Sequence, residues 1–100
     1  MADVNNPSEY PNAMAILKAG IGFFDSQIPE AMFAYLESLL SAAAAQLAER
    51  GIVVYGGKID DDMLLAMYAE WLYRKKSSGA GMPDMLKAEI RTRQVGKAIR

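Results

Sequence analysis

Four stretches of the chain repeat apolar residues every three or four positions, the spacing of a helix that buries one face. We expect helices near 13–19, 27–50, 60–76 and 83–95. The longest carries the clearest pattern, with apolar residues at Met32, Phe33, Leu36, Leu39, Leu40, Ala43, Ala44 and Leu47. The pattern predicts an all-α fold, a small bundle of about four helices with a long second helix.

Residue types with known terminal preferences mark the predicted helix ends. Asparagine, aspartate and serine cap helix starts, and proline suits the first turn. The expected starts lie at Asn12, at Asp25 or Ser26 with Pro29 following, at Asp60 with Asp61 and Asp62 following, and at Pro83. Glycines that can end helices follow at Gly20, Gly22 and Gly51.

The segments between the helices give the predicted domain organisation. Residues 1–11 contain two prolines and predict an N-terminal arm, residues 12–95 a single helical domain, and residues 96–100 a flexible C-terminal tail. Phe23 and Phe24 are expected to anchor in the core. The segment 52–55 favours extended backbone but has no partner strand in the sequence. We expect it to be an apolar connector packed on the helices, with a strand in an intermolecular ribbon as the alternative.

The core is expected to centre on the long second helix and the aromatic third one. The predicted anchors are Leu36, Leu40, Leu47, Tyr68, Trp71 and Leu72. Trp71, the only tryptophan, is three residues after Tyr68 on the same apolar face, so we expect it to be mostly buried. The alternative is that these aromatic rings form a stacking platform for single-stranded nucleic acid.

Composition removes most catalytic chemistry. The chain has no cysteine and no histidine, which excludes thiol catalysis and thiolate metal sites and removes the commonest general base. Gly51 and Lys58 are one residue too far apart for a phosphate-binding loop, and the carboxylates at 60–62 fit a helix start better than a cation site. We therefore predict a protein that is not an enzyme and needs no cofactor or metal.

Charge is divided unevenly along the chain. Residues 1–62 hold nine acidic and three basic residues, and residues 63–100 hold three acidic and eight basic ones. Such a division suits an acidic partner at one end, or copies of the chain that meet head to tail. No signal peptide and no run of about 18 apolar residues is recognisable, so we expect assembly in the cytosol and no membrane contact.

The basic C-terminal region leaves three interpretations open. Its cations are Lys87, Arg91, Arg93, Lys97 and Arg100. They could form a solvated helix face, contact an acidic protein surface, or contact DNA. The Ser/Gly-rich break at 77–81 favours a partner, because a simple surface helix needs no hinge before it.

Several short motifs, in order, resemble one protein family. They are KAGIG at 18–22 with Asp25, YLESL at 35–39, ERGI at 49–52, DD at 61–62, MYAEWLYRKK at 67–76, MPDML at 82–86 and IRTRQ at 90–94. Over roughly residues 13–95 the chain resembles the small head–tail connector (adaptor) proteins of long-tailed bacteriophages and prophages.

The resemblance implies a structural virion protein at the head–tail junction, assembled in the host cytoplasm. Such subunits form a homo-oligomeric ring, typically of twelve, between the portal protein and a tail-side connector (stopper) protein. Genomic DNA passes through the lumen without specific binding. Carried onto this chain, the portal-docking residues would be Arg91, Arg93, Lys97 and Arg100. The alternative function is a small helical DNA-binding or DNA-packaging accessory protein, which steep salt dependence of duplex binding would favour.

Overall fold

Four α-helices run through the part of the chain that the structure describes. This computed structural model describes residues 8–22, 28–55, 57–79 and 81–99, without the side chains of 77, 78 and 97–99. The helices are α1 (Pro11–Gly20), α2 (Glu30–Glu49), α3 (Ile59–Ser78) and α4 (Asp84–Ile99). No strand occurs among these residues, and the predicted all-α bundle with a long second helix is confirmed. The predicted anchors Phe23 and Phe24 lie outside the described residues. Helix α2 begins at Glu30 with Pro29 at the N-cap position, and not near 27 after a cap at 25–26 as predicted.

Helix α3 is the centre of the bundle. It packs along both α1 and α2, whereas α4 rests mainly on α3 through a smaller contact. The side chains between these helices form one apolar cluster, to which all four helices and the connector contribute. Its largest fully buried members are Leu17, Leu36, Leu40, Leu47, Leu64, Leu65, Tyr68 and Leu86. The predicted anchors at 36, 40, 47 and 68 are therefore confirmed as core residues.

Trp71 is mostly buried, as predicted, but it packs at the edge of the core cluster rather than within it. The buried face of α3 is centred on Leu65 and Ala69, so Trp71 falls at its edge. Its ring packs edge-on against Tyr68, with 5.4 Å between the ring centroids. The Tyr68 hydroxyl donates to Gln46 Oε1 at 2.9 Å, which ties α3 to α2. Leu72, the other anchor predicted on this helix, is also partly buried.

The helix caps predicted at Asn12 and Asp60 are wrong, and the Asn12 side chain joins two helices instead. Helix α1 begins at Pro11, and Asn12 donates from Nδ2 to Asp62 Oδ2 at 3.3 Å instead of capping its own helix. Helix α3 begins at Ile59, and Asp60 makes no capping hydrogen bond. Asp62 is buried where α1 meets α3, so this polar pair fixes the approach of the two helices.

Helix ends follow the glycine rule in three places. The first is Gly22, which has a φ of 99° two residues after α1. Gly51 has a φ of 83° directly after α2, and Gly79 has a φ of 69° directly after α3, a conformation that costs other residues energy. Helix α4, by contrast, does not end near 95 as predicted. It continues through Gly96 to Ile99, so the region predicted as a tail begins as helix.

The connector between α2 and α3 packs as predicted. Ile52 is buried in the core cluster, and Val54 packs against it. Val53 and Tyr55 alternate with them and are exposed, at 58% and 59% of their surface. Residues 52–55 therefore present one side to the helices and the other to solvent.

Candidate interaction surface

A groove opens between the connector, the first turn of α3 and the C-terminal half of α4. Its volume is about 830 Å³. Val53, Tyr55 and Ile59 form its apolar rim, and Thr92 and Gly96 line the α4 side. We call this feature the connector groove.

The connector groove contains a polar network that joins three elements. The carboxylate of Asp61 on α3 accepts a hydrogen bond from the Tyr55 backbone amide at 2.9 Å. The same carboxylate accepts a charge-assisted bond from Arg93 Nη1 on α4. Arg93 Nε also donates to Glu89 Oε2 at 3.0 Å. One carboxylate therefore fastens both the connector and α4 to the start of α3.

The environment of Asp61 keeps this carboxylate ionised. Its side chain is only 9% exposed, and desolvation alone would raise its pKa. The hydrogen bonds from the Tyr55 amide and Arg93, with the charges of Arg93 and Lys58, outweigh that effect and hold the pKa of Asp61 below its ordinary value. The ion pair is therefore present at neutral pH.

Arg93 faces inward, although the sequence analysis placed it among the docking residues. It follows Leu86 and Ile90 at the spacing of one helix face, and both of these residues are buried against α3. Arg93 thus continues the packed face as a cation opposite Asp61. The spacing of residues 86, 90 and 93 could have predicted that Arg93 faces inward. It could not have predicted that Asp61 is the carboxylate that Arg93 contacts.

The other predicted docking residues are only partly located. Arg91 is exposed on α4, as a docking residue requires. The side chain of Lys97 and the whole of Arg100 lie outside the described residues. A second contact fastens this end of α4, because Gln94 Nε2 donates to the backbone carbonyl of Arg50 at 3.2 Å.

Half of the exposed large apolar side chains among the described residues line the connector groove. The whole set is Val53, Tyr55, Ile59, Met63, Met85 and Val95. All belong to the connector, to the first turns of α3 or to α4. Scattered apolar residues are ordinary on protein surfaces, but a group around a groove is typical of an interaction site. The connector groove is therefore the candidate functional site.

The alternatives from the sequence find less support in the geometry. Among the described residues, no group of three or more acidic side chains is placed to hold a metal ion. The Trp71 ring, considered as a stacking platform, has the Lys75 ammonium 5.0 Å from its centroid. That cation occupies one face of the ring that a base would need.

Comparison with protein-family models, with curated proteins and with solved structures gives no match to this chain.

Proposed function

We propose that this protein is a non-catalytic structural subunit of a ring-shaped adaptor at a phage-type head–tail junction. Its partners are a portal protein on one side, a tail-side connector on the other, and further copies of itself. Genomic DNA passes through the ring without sequence-specific binding. The proposal starts from the resemblance carried by the sequence motifs over residues 13–95.

The observation that carries the proposal is the connector groove with its apolar rim. Val53, Tyr55 and Ile59 expose more than half of their surface around one concave feature. The site supplies contact area, and the Asp61–Arg93 pair holds its walls in place. A rigid concave surface with an apolar rim suits binding of another protein better than turnover of a substrate.

The exposed surface of α4 adds the charge that a portal contact needs. Arg91 and Lys87 are exposed on this helix, while its opposite face is fixed by Leu86 and Ile90. Exposed cations at a protein interface act mainly on the rate of encounter and on the choice of partner. A partner with an acidic surface, either the portal or a neighbouring copy, would therefore be recognised by α4.

The test is co-expression with portal and tail-side connector proteins of long-tailed phages. Affinity purification through a tag on the portal should recover this protein, and electron microscopy should show an added ring. Ile59→Glu, which places a charge on the groove rim, should abolish recovery. The matched control is Ala15→Glu on the exposed side of α1, which should leave recovery unchanged.

Two results would overturn the proposal. The first is that the wild-type protein is never recovered with the portal although it is folded and abundant. The second is tight duplex binding, in the absence of the portal, whose affinity falls steeply with salt. That result would indicate a nucleic-acid accessory protein instead.

A further inference from the structure

Helix α4 has an apolar face that no described residue covers. Its inner face packs on α3, while Met85, Ala88, Thr92 and Val95 form an outer face at alternating spacings of three and four. Met85 is 77% exposed and Val95 is 51% exposed. This spacing is that of one seam of a helix pair, in which side chains of one helix insert between those of another.

The outer face of α2 has the same spacing and is also uncovered. Its exposed residues are Ala31, Ala34, Ser38, Ser41, Ala45 and Ala48. The helix is long and apolar enough to cross a membrane by length and composition alone, with a mean hydropathy of 1.3, yet only 22% of that stretch is buried. An apolar helix with so little burial exposes a face suited to a partner.

Charge identifies the partner that suits both faces. Helix α2 contains no lysine or arginine, and its exposed acidic residues are Glu30 and Glu49. The carboxylate of Glu37 already accepts hydrogen bonds from Ser8 and from the Glu9 amide. The outer face of α4 is flanked by the exposed cations Lys87 and Arg91. The two faces are complementary in charge and in spacing, and they belong to the same chain.

We infer that the outer face of α4 in one copy docks along the outer face of α2 in a second copy. The inference deepens the proposed function and rests on it, since it names the contact between subunits of the ring. The two faces differ, so a pair of copies joined by one contact still exposes the outer face of α4 in one copy and the outer face of α2 in the other. Head-to-tail contacts of this kind close into a ring when the rotation between copies permits.

The size of the contact predicts how the assembly behaves. A helix of 16 residues is about 24 Å long and about 10 Å wide, so α4 alone covers roughly 250 Å² of its partner. Stable interfaces cover about 800 Å² on each partner. Thr92 also lines the connector groove, whose rim can extend the contact. An isolated pair should therefore dissociate readily, and the closed ring should be the stable form.

Disulfide trapping tests the contact directly, because the chain has no cysteine of its own. Ser38→Cys on α2 and Thr92→Cys on α4 are prepared as separate proteins and then mixed and oxidised with copper–phenanthroline. We expect the mixed disulfide to exceed either homodimer several-fold. A mixed disulfide no more than twice as abundant as either homodimer, which is the ratio that random pairing gives, would overturn the inference. So would the absence of any disulfide at the highest soluble concentration.

Two controls separate a specific contact from random collision. Ala15→Cys, exposed on α1, replaces Ser38→Cys in the mixture and should give only background product. The double change Lys87→Glu with Arg91→Glu, added to Thr92→Cys, should reduce the mixed disulfide to that background. As a matched control, Lys75→Glu with Lys76→Glu on α3, added to Thr92→Cys, should leave the amount of mixed disulfide unchanged. A mixed disulfide that survives reversal at 87 and 91 would overturn the charge argument and the contact with it.

The outcomes distinguish this contact from the proposed function. Recovery with the portal without the mixed disulfide would overturn only the α2–α4 contact. The mixed disulfide without any recovery by the portal would overturn only the function. A membrane arm uses vesicles of phosphatidylcholine and phosphatidylglycerol. If they protect Ser38→Cys from a water-soluble maleimide, the outer face of α2 binds lipid and the inference fails.

Discussion

Arg93 on α4 donates a charge-assisted hydrogen bond to Asp61 on α3, across 32 residues of the chain. The acceptor is nearly buried, and it also receives the backbone amide of Tyr55. Because α4 has few other contacts with the bundle, this pair and the buried Leu86 and Ile90 determine where α4 lies. The position of the outer face of α4 therefore depends on a residue in the first turn of α3.

Asp61→Asn should lower the free energy of unfolding by roughly 1–3 kcal/mol. The change removes the charge that Arg93 meets in a partly buried setting, where a lost partner costs more than at the surface. Asp60→Asn is a matched control, since it makes the same change in the same helical turn at an exposed position. Asp60→Asn should lower the free energy of unfolding by less than about 1 kcal/mol, mainly because a negative charge is lost near the start of the helix dipole. Equal losses in urea unfolding of the two variants would contradict the role given to Asp61.

Stability should fall in acid through the same carboxylate. The pKa of Asp61 is lowered in the folded protein, so the unfolded chain binds this proton more readily. The stabilisation is complete above the unfolded pKa, about 4, and is lost as pH falls through the lower folded value. Unfolding free energies measured from pH 7 downward should show a wild-type advantage over Asp61→Asn that shrinks below about pH 4. A constant advantage down to pH 2 would refute the assignment.

The two neighbouring aromatics of α3 should differ in their contributions. Tyr68→Ala should cost about 3–5 kcal/mol, because the ring is fully buried and its loss leaves a cavity. Trp71→Ala should cost less, roughly 1–3 kcal/mol, because the indole lies at the edge of the core and keeps part of its surface in solvent. Tyr68→Phe isolates the hydrogen bond to Gln46 and should cost about 1 kcal/mol. Urea midpoints in the reverse order would place Trp71, not Tyr68, at the core.

Replacing Gly79 and Gly96 by alanine should change the stability of the protein in opposite directions. At Gly79 the positive φ strains any side chain, so Gly79→Ala should destabilise by about 1 kcal/mol. At Gly96, inside α4, a Cβ meets nothing within 4 Å, so Gly96→Ala should stabilise by about 0.5–1 kcal/mol through helix propensity. Added Cβ atoms have free space at both positions, so the difference arises from the backbone alone. Thermal melts of the two variants give the signs directly.

Periodicity was sufficient to predict the bundle but not its polar contacts. The spacing of Leu36, Leu40 and Leu47 identified the buried face of α2, because apolar burial depends on local pattern. The predicted role of Asn12 failed because a capping residue and a residue that bonds a distant helix have the same chemistry in sequence. Only the packing of α1 against α3 decides between them.

The candidate site was harder to predict for the same reason. Arg93 was grouped with Arg91 from a count of cations, yet the two are two residues apart and lie on different faces of α4. The groove itself combines residues from 51–61 and 89–96, which no local pattern brings together. Sequence reasoning identified a basic helix with a partner, and the structure divides its cations between a packed face and an exposed one.

Truncation from the C-terminus should separate the contacts that Arg93 and Gln94 make from any contribution of the residues after them. A chain ending at Gln94 keeps both Arg93 and the bond from Gln94 to the Arg50 carbonyl, so its melting temperature should stay within a few degrees of the full-length value. A chain ending at Ile90 loses both contacts and leaves Asp61 without its cation, which should cost roughly 2–4 kcal/mol. For a domain of 100 residues that corresponds to a loss of about 10 °C or more. Differential scanning calorimetry of the two truncations tests these expectations, and equal melting temperatures would show that α4 is held by Leu86 and Ile90 alone.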